Sequence, residues 1–368
     1  MNLRVLMGMP EAGARGGPPT CEPPFARGLR EMGVSVQEAI YSHAEEAGWM
    51  GRAARVRGTA RRFGDLLRAG DFDIVHINTS FDARALLRDA FLVPSLPATR
   101  ARIFLKFHGS DGRLLRSGNP VWSALRRRLF ARAAGIGVLS SEERGNFLRA
   151  GVPEAKVFLV ANVVERICAA RREDFLARWN LPTDKPLLLF IGRFIPAKGL
   201  LDAIRACDLL RERGTECVLL CVGDGPARAR AEAEVARRGM GDRVRFFGYL
   251  PEPQAANFYA HSSALIFPTY HHEGFPLAIF HAAAAGLPIV TTRIRAAADY
   301  LREPENCLWT EPRRPEQLAE RIAQLLGKSE LRARMAANNR ELAERFSAPR
   351  VARGYVEIFE RLAGVGNE

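Results

Sequence analysis

Lysine is scarce in this chain: 5 lysines stand against 49 arginines. A skew of that size reads as readily as genomic base-composition bias as it does as function, so basic residues alone assign no role. Cysteine is sparse too. Cys21, Cys168, Cys207, Cys217, Cys221 and Cys307 are scattered and form no CxxC pair, which argues against zinc-ribbon and dithiol redox chemistry and fits a reducing compartment. Cys217 and Cys221 share one face of an expected strand, where thiols act as small core hydrophobes. No apolar run reaches the roughly 18 residues that a membrane span needs. The start, MNLRVLMGMPEAG, lacks the apolar stretch and small-residue cleavage site of a secretory signal and reads as a first strand. The expected location is cytoplasmic, with peripheral contact on the inner face of the plasma membrane as a further expectation. Short internal repeats are absent, and 47% hydrophobic with 26% charged residues is not the composition of a disordered chain.

Charge is unevenly spread. The formal net charge is +13; residues 1–170 hold 25 Lys and Arg against 16 Asp and Glu, and the remainder 29 against 25. An excess in the first half suits an anionic partner: nucleic acid, anionic lipid or an anionic substrate. The basic residues lack an interleaved aromatic surface, which argues against nucleic acid. Arg113, Arg116, Arg126, Arg127, Arg128 and Arg132 surround Trp122 and Phe130, and two readings stand side by side: a membrane-surface helix or a solvated helix face.

At 368 residues two domains are the natural expectation. Strands at 3–7, 34–39, 73–77, 102–107 and 136–139 alternate with helices at 21–32, 52–68 and 142–150, with a glycine- and proline-rich loop at 13–19. That alternation predicts a parallel sheet covered on both faces. The rhythm breaks over a charged stretch from Arg166. A second alternating series starts with the apolar run at 186–191 and continues with a helix at 200–212, a strand at 216–222, a helix at 227–238 and a strand at 244–247. The expected division is a first domain over 1–165, a linker over 166–185, a second domain over 186–347 and a closing helix over 348–368. The last helix carries the stripe Val351, Tyr355, Ile358, Phe359, Leu362.

The stretch around which the rest is arranged is FPTYHHEGFPLAIFHAAAAGLPIV, from Phe267 to Val290. It reads as strand end, polar loop, alanine-rich helix and next strand. Ligands bind at the carboxyl ends of strands in open α/β sheets, and the helix start supplies unpaired backbone N–H groups. A second such loop, Gly192-Arg193-Phe194-Ile195-Pro196-Ala197-Lys198-Gly199, follows an expected strand directly. Its two cations suit one diphosphate. Gly223-Asp224-Gly225 is a weaker signal of the same kind. His271-His272-Glu273 is not a metal motif, because adjacent histidines cannot share one face and no spaced third ligand follows.

Taken in order, Gly192-Arg193…Lys198-Gly199, Gly223-Asp224-Gly225-Pro226, Phe247-Gly248, Pro268…Glu273-Gly274-Phe275-Pro276-Leu277 and Ala285-Gly286-Leu287-Pro288 resemble the retaining glycosyltransferases of family 4, over the whole second domain. The first domain is similar more loosely, through Gly16-Gly17, Lys106-Phe107-His108-Gly109, Leu139-Ser140-Ser141-Glu142 and Ala161-Asn162-Val163-Val164. The resemblance implies an α/β GT-B fold, two Rossmann-like domains facing a central cleft, with the closing helix returning to the first domain. It implies a transferase of hexosyltransferase type, moving a sugar from a UDP- or GDP-linked donor to a sugar, lipid-linked or small-molecule acceptor, as in polysaccharide biosynthesis. No metal or other cofactor is implied. Arg193 and Lys198 would bind the diphosphate and Glu273 the donor sugar, aided by the backbone at Gly274, Phe275 and Leu277. Gly16, Gly17, Gly223 and Gly225 would line the nucleotide, His108 would sit beside the reacting sugar, and Asp111 would be on the acceptor side.

One residue departs from the family pattern. The family has a second glutamate eight positions after the first, where it meets the ribose; here that position is His281. Neutral histidine offers one donor and one acceptor, so the expectation is that His281 still faces the ribose. Other readings of the same residues are a nucleotide-sugar epimerase, a phosphorylase, or a catalytically silent nucleotide-sugar-binding protein.

Overall fold

The computed structural model describes residues 3–11, 13–14, 16–43, 48–165 and 174–364, with backbone alone at Trp49. Residues 166–173, which carry Cys168 and most of the charged stretch expected to link the domains, lie outside the described residues. The chain divides into two compact units, each treated in its own right. The first runs to Val163 and includes His272–Phe275 and the stretch from Phe346 onward; the second comprises Val164–His271 and Pro276–Arg345.

In the first unit the order is β1 (Arg4–Pro10), α1 (Gly17–Glu31), β2 (Ser35–Ser42), α2 (Trp49–Ala69), β3 (Ile74–Phe81), α3 (Ala83–Ser95), β4 (Arg102–Ser110), α4 (Gly112–Leu115), α5 (Pro120–Arg132), β5 (Ala133–Val138), α6 (Ser141–Arg149) and β6 (Val157–Leu159). The strands form one parallel sheet in the order β2-β1-β3-β4-β5-β6. Strands such as β1, buried from Val5 to Met9, are apolar on both faces because helices cover both. The chain leaves β1 toward one edge and returns to lay β3 on the other side, so the order reverses between β1 and β3. Crevices open outside the carboxyl ends of the strands at such a reversal.

Two expectations need correcting here. The glycine- and proline-rich stretch at 13–19 is not loop throughout, because α1 begins at Gly17 with Pro18 in its first turn. Proline is tolerated there, where an N–H would lack a helical partner anyway. α3 went unread in the sequence, although Asp82 caps it by accepting from the Arg84 and Ala85 amides.

In the second unit the order is α7 (Phe175–Arg178), β7 (Leu187–Ile191), α8 (Leu200–Glu212), β8 (Val218–Val222), α9 (Arg228–Arg237), β9 (Val244–Gly248), α10 (Glu252–His261), β10 (Ala264–Phe267), α11 (Leu277–Ala284), β11 (Ile289–Thr292), α12 (Arg295–Tyr300), β12 (Cys307–Thr310), α13 (Pro315–Leu326) and α14 (Ser329–Ala343). Its parallel sheet runs β12-β11-β10-β7-β8-β9. The reversal lies between β7 and β10, whose carboxyl ends carry the two loops singled out from sequence. α12 and β12 were missed, being only six and four residues long.

The final helix, α15 (Ala348–Ala363), belongs to the first unit. It buries Val351, Ala352, Tyr355 and Phe359; of the stripe read from sequence, Ile358 and Leu362 are only half-buried, and Ala352 takes a place in it. The Tyr355 ring lies 4.4 Å from that of Phe25, and Phe359 stands edge-on to Phe104 at 5.4 Å. Gly28 is needed where α1 meets this helix, since a Cβ there would lie 2.8 Å from the Ala348 carbonyl oxygen. Phe359→Ala is expected to cost the first unit about 3–5 kcal/mol, the usual range for emptying a buried phenylalanine site. Denaturant unfolding checks this, and a loss below about 1 kcal/mol would show that α15 is not part of that core.

Candidate functional site

In the second unit three loops are bonded together at the carboxyl ends of β7, β8 and β10. The Gly192 amide donates to the Val222 carbonyl at 3.0 Å and the Phe194 amide to the Asp224 carbonyl at 2.8 Å. The Ala197 carbonyl accepts from the Tyr270 amide at 2.8 Å and from Thr269 Oγ1 at 3.3 Å. Gly223 and Gly225 hold φ values of 137° and 150°. A Cβ on Gly223 would overlap the Gly192 carbonyl oxygen, and one on Gly225 would lie 2.7 Å from that of Phe194. Both glycines of this turn are therefore required by the contact between loops.

The two cations of the loop are placed differently. Arg193 is exposed. Lys198 is 4% exposed, its ammonium 4.8 Å from the centre of the Phe267 ring in a cation–π contact. Gly199, with φ 78°, precedes the first turn of α8. The Arg313 guanidinium stacks 4.6 Å over Tyr270, a third cation at this strand end that the sequence reading missed. Leu277 is the first residue of α11, so its N–H belongs to the unbonded first turn.

His281 sits on α11, buried, with burial pushing its pKa down to about 4. Glu252 Oε1 lies 3.4 Å from its Nδ1, and that carboxylate is 37% exposed, too well solvated to offset the burial. The neutral ring keeps Nε2 buried without a hydrogen-bond partner among the described residues.

The first unit gathers charges that the sequence reading did not connect. Glu22 of α1 is fully buried and Lys106 of β4 is 1% exposed, with Nζ 2.6 Å from Glu22 Oε1. Burial opposes the Glu22 charge, but the Lys106 ammonium, with His108 beside it, holds the carboxyl far below the usual range. His108 Nε2 lies 3.1 Å from Glu22 Oε1 and 3.4 Å from Asn78 Oδ1. Asn78 Nδ2 donates to the Gly8 carbonyl at 2.9 Å, which turns Oδ1 toward both His108 and His76 Nε2, the latter at 3.1 Å. With acceptors on that side, Nε2 of each ring carries the proton. Burial lowers both histidine pKa values, and the neighbouring Lys106 adds to it: His76 falls to about 4 and His108 moves in the same direction. His108 is thus a neutral imidazole within β4. A charged residue inside an apolar strand and another on the buried face of a helix were the legible signs of this pair.

Cys21, Glu22 and His108 bring three potential ligand atoms within 4.8 Å of one another, but Lys106 already supplies the positive charge a cation would bring. Asp111 is committed to capping α4, accepting from the Arg113 amide at 2.8 Å and the Leu114 amide at 3.4 Å. Ser140 and Glu143 form a reciprocal capping pair on α6. Within the same unit Gly274 is tightly packed, since a Cβ would lie 2.8 Å from Glu143 Oε2 and 3.1 Å from the His108 carbonyl oxygen. Glu273, whose side chain is half-buried, and Phe275, which meets Phe346 edge-on at 5.3 Å, flank it. Gly16 holds φ 121° in open space and Gly17 starts α1. Trp122 and Phe130 pack on the core of the first unit, and Arg126 bonds the Leu114 carbonyl at 2.7 Å. The aromatic pair is therefore spent on packing.

Two family models cover most of the chain: Glycosyltransferase Family 4 over residues 22–166 and Glycosyl transferases group 1 over residues 171–342. The chain belongs to glycosyltransferase family 4. It is similar to 2-deoxystreptamine glucosyltransferase of Streptomyces kanamyceticus, with 29% identity over 67% of this chain and 65% of that protein. The segments matched span 48% to 65% of the length of such curated relatives. Among solved structures, sucrose-phosphate synthase from Thermosynechococcus elongatus superposes with a TM-score of 0.79 at 19% identity, covering 100% of both chains. Anabaena Alr3699/HepE in complex with UDP and glucose superposes with a TM-score of 0.77 at 17% identity, covering 98% of this chain and 100% of that one. The fold of this family 4 member is GT-B, each half Rossmann-like.

For this glycosyltransferase family member the buried histidines set a pH response. Below pH 6.5 the unfolded chain takes up protons at His76 and His281 that the folded chain, with both values near 4, does not. Stability is therefore lost as pH falls, by about 1.4 kcal/mol per pH unit for each histidine. The depressed Glu22 adds in the same sense at lower pH. Denaturant unfolding at pH 7, 6 and 5 should give a falling series; an equal slope in the His76→Gln, His281→Gln double variant contradicts the assignment.

Proposed function

We propose that this chain transfers a glycosyl group from a nucleoside diphosphate to a hydroxyl acceptor, with retention at the anomeric carbon and without a metal ion. The observation that carries the reading is the convergence, at the β7/β10 reversal, of the cation-bearing Gly192–Gly199 loop with the loop that leads to Glu273. Arg193 and Lys198 take the diphosphate and stabilise charge as it develops on the leaving nucleotide, the part a metal plays elsewhere. Glu273 accepts donor-sugar hydroxyls, and the Gly274, Phe275 and Leu277 amides assist; Pro276 has no N–H to offer. The bond from C1 to the diphosphate oxygen breaks and its electron pair leaves with the nucleotide. The acceptor oxygen bonds C1 on the same face, and its proton passes to the departing phosphate. A UDP-linked donor is favoured by the likeness to HepE, whose solved complex holds UDP and glucose, with GDP as the other choice.

Incubating the intact chain with a panel of nucleotide-sugars tests this. Slow release of the nucleotide without acceptor is expected, insensitive to EDTA, with Arg193→Ala and Lys198→Ala each lowering kcat/KM about 100-fold or more. An α-linked product from an α-linked donor supports retention. Donor binding with no turnover would instead support a silent binding protein, which the His281 departure favours. Altered free sugar would point to epimerisation, and a phosphate-dependent product to a phosphorylase.

A further inference from the structure

His281 stands where the family pattern has a glutamate, eight positions after Glu273. Its side chain is 8% exposed, and Nε2 is buried without a hydrogen-bond partner among the described residues. That burial leaves the ring little surface for a ligand. It also keeps the ring neutral at ordinary pH. What lies against it is a carboxylate from another helix: Glu252 Oε1 is 3.4 Å from Nδ1. A neutral ring attracts a carboxylate only through an N–H, so this contact favours the ring proton on Nδ1.

Glu252 is the first residue of α10, three residues beyond the end of β9. That strand end belongs to the same frame of loops as the two cations. The Gly223 amide donates to the Gly248 carbonyl at 2.7 Å, and the Asp224 carbonyl accepts from the Phe194 amide. An acid in the first turn of a helix ordinarily needs no reason beyond the helix dipole. This one has a further mark. Its carboxylate, 37% exposed, stands against the side chain that takes the place of a carboxylate. A glutamate at position 281 would bring two like charges together here, so histidine is what allows Glu252 its position.

We infer that the ribose-binding carboxylate has moved from α11 to α10: Glu252 accepts hydrogen bonds from the ribose hydroxyls of the nucleotide, and His281 holds it from behind. Two carboxylate oxygens can serve both hydroxyls of a vicinal diol. The inference rests on the reading of the second unit as the nucleotide-sugar site, and it names a specificity-determining residue there.

The test titrates UDP and GDP, each in its ribo and 2′,3′-dideoxy form, into the intact chain by calorimetry. For whichever base binds, the ribo form should be preferred about tenfold or more, because the dideoxy form leaves an acceptor built for hydroxyls unpaired. Glu252→Gln keeps the shape and removes the charge, and should shrink that ratio severalfold. Glu252→Ala should nearly abolish it, and His281→Gln should leave more of it than Glu252→Ala does. Arg193→Ala should weaken both forms alike and leave the ratio intact.

A ratio near one in the unaltered chain overturns the inference, as does a ratio that both Glu252 variants leave unchanged. Loss of the ratio in His281→Gln with the Glu252 variants unaffected returns the ribose to α11 and overturns it too. In each of these results a nucleotide still binds, so the glycosyl-transfer reading survives. Binding of neither nucleotide overturns both.

Discussion

The second unit depends on the close approach of main chain to main chain at the carboxyl ends of its strands. The amide–carbonyl bonds from Gly192 to Val222 and from Phe194 to Asp224 bring two loops so near that Gly223 has no room for a side chain. Glycine is conformationally costly to order, and its presence here is a structural demand. Because the loops are bonded to each other, Arg193 and Lys198 emerge from a frame fixed at both ends. A cation held that way loses less freedom on binding an anion than one on an independent loop would.

The first unit solves a different problem. It buries charge, and buried charge is costly unless matched. Glu22 and Lys106 match each other at 2.6 Å, and the Phe25 and Tyr355 rings lie 5.2 and 5.6 Å from the ammonium. This also explains why α15 belongs to the unit: Tyr355 is one wall of the ion pair. His108 then inherits its orientation from Glu22 and Asn78, so its tautomer is set by groups that the mechanism does not otherwise use.

The strand–helix alternation was legible in the sequence because strands apolar on both faces and amphipathic helices leave distinct periods. The helix boundaries around Cys21 and Arg52 were out by three to four residues, since frayed ends carry little pattern. What stayed hidden was tertiary. Glu22 and Lys106 lie 84 positions apart, and no local pattern joins them. Arg313 reaches Tyr270 across 43 positions. The motif at Leu139–Glu142 was legible as a motif, yet its local work is a capping box completed by Glu143, one residue beyond it. Asp111 caps α4, a role that short polar side chains before a helix take by default.

The scarcity of lysine acquires meaning once the structure is in view. If base composition converts lysine to arginine wherever either serves, the lysines that remain mark sites where the two are not interchangeable. Two of the 5 lysines are Lys106 and Lys198, 1% and 4% exposed. Each sits in a strand or at a strand end with its ammonium near an aromatic face. A guanidinium is planar and needs up to five acceptors. Around Lys106 the available partners are one carboxylate oxygen and two rings, which suit a compact charge. Most of the arginines are exposed or half-buried, where a broad fork has room to bond, while Arg295 is buried. The same bias that makes the basic count uninformative on the surface therefore sharpens the reading in the interior.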